Sequence, residues 1–144
     1  MKALKIIGAA ICFEIIAQIV RTVGAILEMS YYTDPNYFSV WSKVMMPAAG
    51  PPPPSFYVYS IVFGLIGALI YGWLYDVLKG SVPGKGIWDK GLWYGAILFL
   101  IGGLPGALAT YLIINLPLML IVYWAIENLI IDLIGGIVIA AIVK

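Results

Sequence analysis

Four apolar runs, each long enough to cross a bilayer, decide what this chain is able to become. They occupy about residues 4–28, 56–78, 91–114 and 117–143. A membrane-crossing helix takes about 20 predominantly apolar residues. Inside hydrocarbon, every backbone N–H and C=O needs a partner, and a helix supplies them within its own segment. The expected fold is an all-α integral membrane protein, a four-transmembrane-helix bundle forming a single domain over residues 1–144. Composition agrees: 10% of the residues are charged, against about 25% in soluble domains. The lipid bilayer is therefore the expected solvent. The net charge of +1 points to no nucleic-acid partner.

The division between the last two runs rests on Asn115 and Pro117. Asparagine is a capping residue and proline suits the first turn of a helix. Without a break there, one overlong helix would exceed any ordinary bilayer. Lysines set the orientation. Lys2 and Lys5 precede the first span, Lys79, Lys85 and Lys90 surround the 79–90 loop, and Lys144 ends the chain, whereas loop 29–55 holds only Lys43. Positive residues collect on the cytoplasmic side, so both termini and loop 79–90 are expected there. The apolar run after Met1–Lys5 is longer than the ~7–15 residues of a secretory signal; it reaches Leu27 and carries Glu14, so it is expected to be retained.

Loop 29–55 is expected to hold a short interfacial helix. Asp34-Pro35 has the form of an N-cap followed by proline at the first helical position. Tyr37, Phe38, Trp41, Val44 and Met45 then make an apolar face that ends before Pro47. Such a helix lies at the membrane surface. Pro51–Pro54 form a stiff extended spacer into the second span.

The polar residues inside the spans carry the chemistry. At ~100° per residue, Ala10, Glu14, Ala17, Gln18, Arg21, Ala25 and Glu28 share one narrow arc of the first helix. The last span adds Glu127, Asn128 and Asp132. Glu14 and Glu127 are both expected near the midplane, from their distances of ~14 Å beyond Lys5 and ~15 Å inward from Pro117. Glu28 is expected at the outer surface, and Asp132 in the inner half. Three sunken carboxylates, Glu14, Glu127 and Asp132, then face one guanidinium, Arg21. Each charge there costs about 2.5–3.5 kcal/mol even on a lenient scale. One acid can pair with Arg21. The others must be protonated, hydrated or matched by an incoming cation. Tyr111, Asn115, Tyr123 and Trp124 are available as hydrogen-bonding or aromatic walls. Small residues recur every fourth position in the second span, at Ser60, Gly64, Ala68 and Gly72, and Gly95, Gly102, Gly106 and Thr110 line one side of the third. Such faces let helices approach closely, and they fit a homo-oligomer or a membrane partner. Pro105 is expected to kink the third span and free nearby carbonyls.

The absence of histidine and the single cysteine, Cys12, exclude Cys/His zinc sites, His-ligated haem and disulfides within the chain; no cofactor is expected. Enzyme signatures do not fit. Tyr75-Asp76 matches half of the intramembrane aspartyl protease signature but lacks its Gly-x-Gly-Asp companion. The Arg/Asn/Glu run of four-span glutathione-using enzymes is missing. Pro83-Gly84-Lys85-Gly86 is too short for a phosphate loop and suits a turn.

Ile7-Gly8-Ala9-Ala10-Ile11-Cys12-Phe13-Glu14-Ile15-Ile16 resembles the first helix of small multidrug resistance transporters. In that family an embedded glutamate exchanges protons for cationic drugs within a four-span dimer. The resemblance implies a proton-binding role for Glu14. Arg21, the proline-rich loop and the acidic residues of the last span depart from that family, so the likeness bears on Glu14 alone. The expected function is movement of a proton, small cation or solute across the cytoplasmic membrane of a prokaryote, with Glu14, Gln18, Arg21, Glu127, Asn128 and Asp132 as the site. The rival is a non-catalytic scaffold or assembly subunit whose polar residues fix helix packing.

Overall fold

The computed structural model describes residues 2–48 and 50–144. They form α1 (Lys2–Leu27), α2 (Met29–Tyr32), α3 (Pro54–Leu78), α4 (Ile87–Leu98), α5 (Leu104–Ile113) and α6 (Leu118–Val143), with a 3-10 turn at Pro35–Tyr37 and a π-helical turn at Phe99–Gly103. No strand occurs among the described residues. Four helical stretches are long and apolar enough to cross a membrane: α1, α3, α6 and the continuous Ile87–Ile113 unit made by α4, the π turn and α5. This third unit starts earlier than its apolar run, and Asp89 in its first turn suits the positive end of the helix dipole.

The packing order is α3, α1, α6, α4, with each helix lying on the next. The α4–α6 seam is backbone against backbone. A Cβ added to Gly95 would strike the Asp132 carbonyl, one added to Gly91 would strike Ile137, and one on Gly136 would strike Gly91 and Gly95. Lipid tails are as apolar as leucine, so close van der Waals contact holds such helices together. Tyr94 is fully buried beside this seam; its hydroxyl donates to the Tyr71 carbonyl at 2.6 Å and its ring meets Tyr75 edge-on. Phe13 of α1 lies across Gly135 of α6.

One end of the bundle gathers both chain ends. Lys79 donates to Asp76 at 2.8 Å and to the Val143 carbonyl at 3.1 Å, Lys2 pairs with Asp76 at 3.7 Å, and Lys90 donates to the Lys79 carbonyl. Asp76 thus serves as an anchor for lysines. The connection from α3 to α4 turns at Gly84, whose φ of +110° disfavours any side chain and whose added Cβ would overlap Asp89.

The π turn sits immediately before Pro105. The Leu104 amide donates to the Phe99 carbonyl, five residues back. Proline brings no N–H, so the carbonyls four and five residues before it, on Ile101 and Leu100, lose that helical partner. Past the turn α5 packs on α6 far more sparsely than α4 does. Ile114 is extended and Pro117 stands at the N-cap of α6 without a side-chain cap. The break falls where Asn115 and Pro117 put it, but Asn115 does not cap.

Loop 29–55 differs from the expected amphipathic helix. Asp34 does cap, accepting from the Asn36 amide at 2.9 Å, yet the helical turn ends at Tyr37. Ser42 Oγ accepts from the Met45 amide at 3.2 Å and begins a separate turn. Local side-chain bonds of this kind compete with helix propagation. Pro53 is extended, with φ −69° and ψ 158°, and Pro54 opens α3.

Candidate functional site

Glu14, Gln18 and Arg21, spaced i, i+4 and i+7 on α1, stand on one face of the helix. That face turns toward α3. The Glu14 side chain is buried and its Oε1 accepts from Gln18 Nε2 at 2.5 Å; the same amide reaches Ser60 Oγ of α3 at 3.3 Å. Gly64 of α3 makes room for the acid, since a Cβ there would overlap the Glu14 carboxylate. A cavity of about 360 Å³ opens beside them. Its polar lining is Glu14, Arg21 and Ser60, its floor is Gly64, Gly67 and Ala68, and its walls are Phe13, Phe63 and Tyr71.

Arg21 is exposed on this cavity. Among the described residues, the ion pairs within 4.0 Å are those of Lys2 and Lys79 with Asp76, so no carboxylate pairs with the guanidinium.

A second cluster lies between α1 and α6 at the loop 29–55 end. Glu28, expected at the outer surface, is 3% exposed. Its Oε2 accepts from Trp124 Nε1 at 3.1 Å and from the Tyr32 hydroxyl at 3.4 Å. Trp41, from the loop, covers them, with ring centroids 5.2 Å from Tyr32 and 6.3 Å from Trp124. Glu127 adjoins Glu28 within hydrogen-bonding reach and rests on Gly24, where a Cβ would overlap its carboxylate. Glu127 Oε1 and Trp41 Nε1 are buried without a hydrogen-bond partner. Burial pushes the Glu28 carboxyl above its ordinary value, against the hydrogen bonds from Trp124, Glu127 and Tyr32. Burial likewise drives the Tyr32 hydroxyl up to about 12. Glu28 is buried, whereas Tyr32, Trp41, Trp124 and Glu127 keep part of their surface exposed.

The residues of α6 therefore separate. Glu127 joins Glu28. Asn128 lines a different cleft of about 250 Å³ between α5 and α6, together with Thr110, Trp124 and the glycines of the π turn. Asp132 is buried, with no side-chain hydrogen bond among the described residues. The depths also differ from expectation. Gly24 meets Glu127 and Phe13 meets Gly135, so Glu127 is ~15 Å along α1 from Glu14, while Asp132 is level with the Gln18 region. The reason is an offset: the first turns of α6 run beside α2, past the end of α1, as the Tyr31–Tyr123 contact at 6.4 Å marks.

Ser60, Phe63 and Tyr71 around the cavity, and Glu28, Tyr32 and Trp41 in the second cluster, complete the two sites beyond the residues expected from sequence. Glu28 shares the polar arc of α1, which was the available signal.

Compared with family models, curated proteins and solved structures, the chain matches none. The site itself must carry the functional assignment.

Proposed function

We propose that this protein moves a proton together with a small solute or cation across the cytoplasmic membrane of a prokaryote, with both termini in the cytoplasm. Glu14 takes and releases the proton, Gln18 and Ser60 position it, and Arg21 sets the charge of the cavity. Asp132, level with that stretch, continues a route inward. Glu127, seated on Gly24 between α1 and α6, and Asn128, in the α5–α6 cleft, modulate it through charge and packing. The chain is expected to self-associate or meet a membrane partner, because Arg21 and the open space at Gly67 are uncovered in the single chain. The observation that carries this function is the α1–α3 cavity, whose lining includes both a buried carboxylate, Glu14, and an unpaired guanidinium, Arg21.

Polar groups at hydrocarbon depth face cavities or each other, and an acid beside such space is placed to exchange protons. In proteoliposomes supplied with a mixture of small organic anions and cations, proton flux driven by a pH gradient should appear with the wild type and vanish with Glu14→Gln, at unchanged folded yield. Glutamine keeps the shape and an oxygen for Gln18.

The Glu28–Glu127 pair favours a second role, that of a scaffold. Its two carboxyl groups lie on glycine or indole. If the scaffold role is the whole function, Glu14→Gln leaves flux at the level of empty liposomes in both proteins and alters assembly instead.

A further inference from the structure

We propose, building on the transport function argued above, that the solute of the α1–α3 cavity is an organic anion: a monocarboxylate or monosulfonate with a small apolar or aromatic body, moving with one proton. The guanidinium of Arg21 faces this space, and no acid of the described residues lies within 4.0 Å of it. A guanidinium presents a planar fork of donors whose geometric match is a carboxylate or a similar oxyanion.

Among the described residues none of the chain's own acids forms an ion pair with Arg21, and Asp132, buried and without a side-chain hydrogen bond, also lies beyond 4.0 Å of it. Glu14 accepts from Gln18 and is seated on Gly64. Glu127 is seated on Gly24 beside Glu28. Arg21, with no ion pair within 4.0 Å, is left able to meet an anion from outside the chain. Phe13, Phe63 and Tyr71 offer ring surface to an apolar body, and about 360 Å³ accommodates one of benzene size. A cation of equal shape would approach Arg21 with like charge, in surroundings that screen poorly.

Charge balance fixes the stoichiometry. In the empty cavity, ionised Glu14 offsets Arg21. When the anion binds Arg21, Glu14 takes one proton on its carboxylate, and the occupied cavity is again neutral. On release the anion leaves the guanidinium and the proton leaves Glu14, so one proton crosses with each anion and no net charge moves. Both states avoid an uncompensated charge inside the membrane.

The test uses two permanently charged probes of similar body, benzenesulfonate and phenyltrimethylammonium, on the full chain in lipid nanodiscs. Benzenesulfonate should bind saturably and phenyltrimethylammonium should not. Arg21→Gln should weaken benzenesulfonate binding by roughly ten- to a hundredfold, the loss of a hydrogen bond to a charged group. Arg21→Lys, which keeps the charge, should retain part of it and guards against a folding defect. In proteoliposomes, benzenesulfonate uptake should acidify the lumen without generating a membrane potential. Binding of phenyltrimethylammonium that depends on Glu14 overturns the anion assignment and leaves proton-coupled transport standing. Benzenesulfonate binding untouched by Arg21→Gln overturns it as well. If the folded wild type binds neither probe, the assignment fails, and the Glu14→Gln flux measurement then reports separately on transport.

Discussion

Replacing Gly64 with alanine tests the seating of Glu14 against its most direct control, Gly67→Ala, three residues further along the same helix. An added Cβ at Gly64 overlaps all three carboxyl atoms of Glu14, whereas at Gly67 it meets nothing within 4 Å. Both substitutions gain the same helix propensity, about 0.5–1 kcal/mol, so that gain cancels in the comparison. What remains is the displacement of the Glu14 carboxylate from its 2.5 Å bond with Gln18. Leaving a buried hydrogen-bonding group without its partner costs about 1–3 kcal/mol, which is the expected stability gap between the two variants. Thermal unfolding in detergent, followed by circular dichroism, measures it. Gly64→Ala should melt lower than wild type and Gly67→Ala should match or exceed it. In a Glu14→Ala chain the penalty of Gly64→Ala should disappear, as a double-mutant cycle requires of a direct contact. Equal melting of the two alanine variants, or an undiminished penalty without Glu14, would refute the seating.

Gly136→Ala pushes a methyl into the backbone of Gly91 and Gly95, where no side chain can yield; it should cost about 3 kcal/mol or more and reduce the yield of monodisperse protein. Trp124→Phe keeps an aromatic but smaller ring and removes the indole N–H that donates to Glu28; it should lower stability by about 1–3 kcal/mol for the lost partner alone, read in the same melts. The raised Glu28 carboxyl makes stability depend on pH. With its folded value above the ordinary 4.5, the stability it contributes is complete below 4.5 and is lost as pH rises through the folded value. Glu28→Gln should flatten that part of a melting-temperature profile, and an unchanged slope would contradict it.

Much of this architecture was legible in the chain. The apolar runs announce their helices because hydrocarbon leaves the backbone no other partner. Asn115 to Pro117 marks the only interruption of a 91–143 stretch that would otherwise be too long. The Glu14–Gln18–Arg21 stripe follows from helical spacing alone, and α3 does face it. Relative depth was not legible. Counting inward from Pro117 assumes that α6 begins level with the end of α1, whereas its first turns flank α2; that slip moves Glu127 from the Glu14 level to the Glu28 level. Nor does spacing tell a glycine that seats a carboxylate, such as Gly24 or Gly64, from one facing open space, such as Gly67. The amphipathic pattern of 34–46 is present, but its central aromatic, Trp41, packs on Tyr32 and Trp124. A pattern shows which residues seek burial and is silent on what buries them.

Water access to the α1–α3 cavity is the claim on which the transport function stands. Gly67 lines it ~20 Å along α3 from Pro54, while Ile70 on the same helix is an exposed apolar residue outside the lining. In a Cys12→Ser chain reconstituted in liposomes, Gly67→Cys should react with a charged, membrane-impermeant thiol reagent and Ile70→Cys should not. If the cysteine at position 67 is as inert as the one at position 70, the cavity is filled by lipid and the proton has no path to Glu14.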